Sequence, residues 1–139
     1  MAEFRINAPQ VTAVLASADA CDRLSAPSGA RVLRTAPREA LLVGAADLGD
    51  LREQLREPTA IVEDVSDGWT AFVLTGDDVD DVFARLSELP PPVDWLQGEV
   101  ARSPAKVLAA PGSLTILVPA NLYEHVKERL RTDAAEVLA

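Results

Sequence analysis

Three times along this chain, two short apolar runs parted by a turn are followed by a segment whose apolar residues recur every three to four positions. A strand buries one face through alternate side chains and a helix buries a stripe, so a two-strand hairpin followed by a helix is a compact unit in which each element covers another. In the first unit, Arg31 to Thr35 and Ala40 to Val43 flank Ala36-Pro37-Arg38-Glu39. The helix after it carries Leu48, Leu51 and Leu55, with Asp47 as N-cap and Pro58 as its end. In the second, Ile61 to Val65 and Trp69 to Thr75 flank Ser66-Asp67-Gly68, whose Asp-Gly pair predicts a tight hairpin turn. Val79, Val82, Phe83 and Leu86 then form a helical stripe that stops at Leu89 and Pro90-Pro91-Pro92. In the third, Ala105 to Ala109 and Leu114 to Val118 form a hairpin around Pro111-Gly112. A helix begins near Asn121 and buries Leu122, Val126 and Leu130, with Tyr123 beside them.

The first and third units repeat at an offset of 75 residues. Ala30, Val32, Leu33 and Leu42 fall opposite Ala105, Val107, Leu108 and Leu117; Ala45, Leu51, Leu55 and Arg56 fall opposite Ala120, Val126, Leu130 and Arg131. The expected architecture is α+β: duplicated ββα or βαβ-like units, about six antiparallel strands with helices packed on one face of the sheet. At 139 residues the chain is expected to form a single domain, residues 1–139. Residues 1–29 are weakly patterned, with a strand expected over Val11 to Ala16 and a short helix over Asp19 to Leu24. Residues 89–104, with Trp95 and Gly98, read as a loop.

Apolar residues make up 48% and charged residues 25%, so the chain has the means to fold, and with aromatics at 4% its core must be built mainly from Ala, Val and Leu. The net charge of −9 repels phosphate backbones and anionic lipid, which argues against nucleic acid and membrane partners. Residues 61–98 hold 1 basic against 9 acidic side chains, while the segments on either side are nearly balanced. No apolar stretch approaches the roughly 18 residues that span a bilayer. The single cysteine, Cys21, forms no internal disulfide and fits a reducing, cytoplasmic setting.

The residue types that usually carry catalysis are scattered. The one histidine, His125, lies mid-helix between Glu124 and Val126 and reads as a surface residue. No glycine-rich phosphate loop is present. Asp77-Asp78-Val79-Asp80-Asp81 lacks the alternation and closing Glu of a calcium loop and opens a helix, where acids cap free amides and complement the dipole. Cys21 reads as buried and inert. Trp69 opens a strand and reads as a packing residue, whereas Trp95 lies where aromatics anchor interfaces.

The stretch Val62-Glu63-Asp64-Val65-Ser66-Asp67-Gly68 is followed by Phe72-Val73-Leu74-Thr75-Gly76-Asp77-Asp78-Val79 and Val82-Phe83-Ala84-Arg85-Leu86. These segments resemble a block of the aminomethyltransferase and YgfZ-like folate-binding superfamily, and within it the gamma subunit family of heterotetrameric sarcosine oxidase. Gln97-Gly98-Glu99-Val100-Ala101-Arg102, Ala105-Lys106-Val107 and Leu114 to Pro119 are similar to the same subunit, so the resemblance covers residues 30–132. It implies a folate-binding-domain-like fold and membership in a flavin-dependent complex that demethylates sarcosine and passes the one-carbon unit to tetrahydrofolate. FAD, FMN and NAD are implied for that complex on other, larger flavoprotein subunits. The gamma-type chain then binds no cofactor, has no catalytic residues or metal, and acts through contact. The isolated chain is left free to pair as a homodimer. An alternative implied by the same resemblance is a standalone folate-binding module, in which a pteridine stacks near Trp69 or Trp95 and Arg102 or Lys106 meets the glutamate tail. The catalytic acid of the folate-processing aminomethyltransferases has no counterpart here, and Gln97-Gly98-Glu99 lacks the cysteine of the related Lys-Gly-Cys-x-x-Gly-Gln-Glu motif.

Overall fold

The computed structural model describes residues 1–138. They form two compact units, Pro9–Ser66 and a larger one made of Met1–Ala8 with the chain from Asp67 onward. Strand β1 (Glu3–Asn7) belongs to the larger unit. The smaller unit then follows as β2 (Val11–Leu15), α1 (Ala18–Asp22), β3 (Arg31–Ala36), β4 (Glu39–Val43), α2 (Leu48–Leu55) and β5 (Ile61–Asp64). Its strands lie in the order β3-β4-β2-β5, each antiparallel to its neighbour. Val14, Ala40, Leu42 and Val62 form one sheet face, and Ala20, Cys21, Leu51 and Leu55 of the helices cover it. Each fully buried leucine contributes about 1.5–3 kcal/mol.

Two caps fix this unit's helices. Asp47 Oδ1 accepts from Asp50 N at 3.0 Å to start α2, as the sequence predicts. Ser17 Oγ accepts from Ala20 N at 3.1 Å to start α1 and donates to Glu57 Oε2 at 2.6 Å. Arg23 donates to the carbonyls of Gln54 and Leu55, so the orphan acceptors at the end of α2 are satisfied from α1's side. That helix ends at Arg56, in the left-handed region with φ 54°, before Pro58 is reached.

The larger unit continues with β6 (Trp69–Thr75), α3 (Val79–Leu86), β7 (Trp95–Val100), β8 (Ser103–Ala110), β9 (Ser113–Pro119) and α4 (Tyr123–Asp133). Its sheet runs β1-β6-β9-β8-β7, again antiparallel throughout. Phe72, Leu74, Val107 and Ile116 face Val82, Phe83, Val126 and Leu130 of the two helices. The architecture is thus α+β with duplicated units, as expected. The repeat is visible in the ladder: Leu42 of β4 lies opposite Thr12 as Leu117 of β9 lies opposite Ala71. Beyond those central strands, Asp64 faces Thr12 and Asn7 faces Ala71. The outer strand that follows α2 in one unit is therefore supplied in the other by β1, from the opposite end of the sequence.

Four expectations need correction. The strands divide between two sheets and number nine among the described residues, not about six in one. The Asp-Gly hairpin does not form, because β5 pairs with β2 while β6 pairs with β1 and β9. Ser66 explains this: its Oγ accepts from Val11 N at 2.9 Å, its own N–H is taken by Asp64 Oδ1 at 2.9 Å, and Val65 N donates to Val11 O at 2.9 Å. These bonds fasten the end of β5 to the start of β2, and Ser66–Gly68 becomes a single 3-10 turn in which Gly68 has no positive φ. Residues 95–100 form β7 instead of a loop. The glycine hides that strand, yet Gly98 is what lets Leu89 lie against it, since a Cβ there would stand 2.5 Å from Leu89 Cδ1. Asp78 takes the N-cap position of α3 without a side-chain capping bond, and its carboxylate pairs with the Met1 ammonium at 3.2 Å.

The turn assignments predict opposite responses to one substitution. Gly68→Ala is expected to leave stability within about 0.5–1 kcal/mol of the parent, whereas Gly112→Ala, at φ 68° between β8 and β9, should cost about 1–2 kcal/mol in urea unfolding. The hydrogen bond from Ser17 Oγ, with that from Ser17 N and the charges of Arg23 and Arg38, outweighs desolvation and holds the Glu57 carboxyl below its ordinary value of 4.5. A depressed pKa stabilises the fold above that ordinary value and the contribution is lost as pH falls through the folded one. Glu57→Gln should therefore weaken the protein near neutral pH and flatten its acid-unfolding profile, with the two proteins converging at the acid end.

Candidate functional site

Alternate residues along the strands of the larger unit point to opposite faces. Phe72, Leu74, Val107 and Ile116 face the helices, while Trp69, Ala71, Leu117, Lys106, Gln97 and Trp95 share the other face. The row through Trp95 runs Leu108, Thr115, Val73, and so crosses β6 four residues from Trp69. With about 3.3 Å per residue along a strand and about 4.8 Å between strands, the two indoles stand roughly 20 Å apart. A single flat ring does not stack on both.

Lys106 occupies the row next to Trp95, and its Nζ donates to Gln97 Oε1 at 2.8 Å. A groove of about 360 Å³ is lined there by Gln97, Glu99, Arg102, Pro104 and Lys106, among others. Of the four residues singled out for a folate tail or ring, the structure thus brings Arg102 and Lys106 into one groove, places Trp95 one row from Lys106, and leaves Trp69 three strands away.

Arg102 is presented by an unusual turn. Val100 pairs with Ser103, so β7 and β8 are joined by Ala101 and Arg102 alone, at φ 51° and 62°. Two consecutive positive dihedrals make the mirror-image hairpin turn that Asn-Gly normally occupies, and each residue with a side chain costs on the order of 1–2 kcal/mol there. Three bonds hold the turn: Ala101 N donates to Leu86 O at 2.7 Å, Ser87 Oγ donates to Glu99 O at 2.7 Å, and His125 Nε2 donates to Ala101 O at 2.7 Å. His125 is exposed on α4, as expected of a surface helix residue, but it also ties that helix to the turn. A lone helical histidine carries no sign in the sequence that its partner is a carbonyl 24 residues earlier.

Cys21 is buried and free in the smaller unit. Among the described residues no three His, Cys, Asp or Glu side chains converge as a metal ion would need, and no helix is long and apolar enough to cross a membrane.

No family profile matches the sequence, and no curated protein matches it significantly. Solved structures do. A chain of the heterotetrameric sarcosine oxidase from Corynebacterium sp. U-96, in complex with pyrrole 2-carboxylate, is similar with a TM-score of 0.78 and 21% identity, over 97% of this chain and 84% of that one. The glycine cleavage system aminomethyltransferase T from Bartonella henselae is similar with a TM-score of 0.70 and 13% identity, over 99% of this chain and 47% of that one. The chain spans about half the length of that aminomethyltransferase. Likeness at this level of identity is likeness of fold, and the fold of this chain is aminomethyltransferase-like.

Proposed function

We propose that this chain is a non-catalytic, gamma-type subunit of a heteromeric flavin-dependent oxidase that demethylates sarcosine and hands the one-carbon unit to tetrahydrofolate. The observation that carries this reading is the nearly end-to-end correspondence with a sarcosine oxidase chain, where the aminomethyltransferase is matched over only half its length. In this reading FAD, FMN and NAD belong to the larger flavoprotein subunits, and this chain lends them contact surface. The acidic stretch over residues 61–98 offers negative charge for that purpose. Co-expression with the flavoprotein subunits of a sarcosine oxidase-like complex, followed by gel filtration, is expected to give a single co-eluting complex. A chain that runs alone under all conditions defeats the reading.

A second reading is a folate-binding module, favoured by the groove that Arg102 and Lys106 share one row from Trp95. Folate titrated into the chain should quench tryptophan fluorescence saturably, and Trp95→Phe should remove the quench while Trp69→Phe leaves it. An unchanged emission at millimolar folate removes this reading.

A further inference from the structure

On the other side of the β7–β8 turn lies a cavity of about 550 Å³, bounded by the end of α3, the turn itself and α4. Three arginines line it, one from each element: Arg85, Arg102 and Arg129. Its accessible apolar lining comes from Ala84 and Leu89. Arg85 is held at 3.4 Å by the exposed Glu136, and Arg129 pairs along its own helix with Asp133 at 2.6 Å. Arg102 forms no hydrogen bond or ion pair among the described residues.

That last residue is the informative one. Its side chain is exposed, so no packing repays the left-handed backbone it adopts, and glycine would occupy the position at lower cost. The turn is nevertheless pinned from both helices, through Leu86 O and His125 Nε2, so the backbone that carries Arg102 is held at a fixed place beside the cavity. Strain over-determined in this way is characteristic of residues positioned for a ligand. We infer that the cavity binds a small organic oxyanion, its phosphate or carboxylate head taken by Arg102 together with Arg85 and Arg129, and its compact apolar body resting on Ala84 and Leu89. Guanidinium groups suit such a head because their planar forks bond two oxygens at once. A volume of this size accommodates a ligand of one ring or a short chain. Glu88 and Glu99 also line the cavity and disfavour a ligand that is anionic along its whole length. This inference stands apart from the subunit reading.

The test is amide-resolved NMR titration of the full chain with phenyl phosphate and with hexanoate, and with inorganic phosphate and acetate as heads that lack a body. Phenyl phosphate, hexanoate or both should shift amides over 84–89, 101–102 and 129 saturably, with a Kd about tenfold below that of the matching bodiless ion; binding by one alone identifies the head, and binding by both shows that the arginines accept either oxyanion. Arg102→Gly should weaken binding at least about tenfold while raising the melting temperature by about 2–5 °C, because it relieves the turn as it removes the ligand. A merely structural arginine would not separate those two signs. No saturable shift up to about 10 mM, undiminished binding by Arg102→Gly, or shifts confined to Gln97 and 104–106 would each overturn the inference.

Discussion

Each of the two sheets must hide one face, and each does so beneath a single pair of helices made of small and medium apolar side chains. With so few aromatic residues, no single anchor closes either core; Phe72 and Phe83 are fully buried in the larger unit, and the smaller one is closed by leucine, valine and alanine. Close packing of small side chains demands that helix and strand approach tightly, and this decides where the tolerant positions fall. Gly98 admits Leu89, and Ala101 fits at the tip of the β7–β8 turn with almost none of its surface exposed. The placement of Arg102 follows from that same closeness, since the turn is drawn against α3 and α4 by backbone and histidine bonds.

Periodicity made much of this legible. The Leu48, Leu51, Leu55 stripe, the Val82, Phe83, Leu86 stripe and the hairpin around Gly112 all stand where their spacing places them, because each is decided by residues close in sequence. The 75-residue repeat likewise survives as equivalent pairings in two ladders. What misled was partner choice. Asp67-Gly68 has the chemistry of a hairpin turn, but the bonds that decide its fate come from Val11, 55 positions away from Ser66. A propensity for turning says nothing about which strand lies on the far side of the turn.

The candidate site was legible in a different measure. Arg102 and Lys106 are basic residues near one another in sequence, and a two-residue turn keeps them near one another in space. Arg85 and Arg129 were invisible as companions of Arg102 alone, because α3 and α4 must first be docked before three arginines from distant segments line one cavity. The two tryptophans share a face yet stand on different strands, a separation that only the sheet order reveals.

The exchange of outer strands between the duplicated units bears on how the chain is made. As synthesis proceeds, β5 meets β2 with the whole smaller unit already emerged, so that unit is able to close by itself. β1 has no such luck: its partner β6 lies some 60 residues further on, which at about 5–20 residues per second leaves a bare strand waiting for several seconds. Its outward sequence, Glu3 and Arg5 alternating with Phe4 and Ile6, places charge on every second position of that waiting edge, a guard against mispairing with a neighbouring nascent chain.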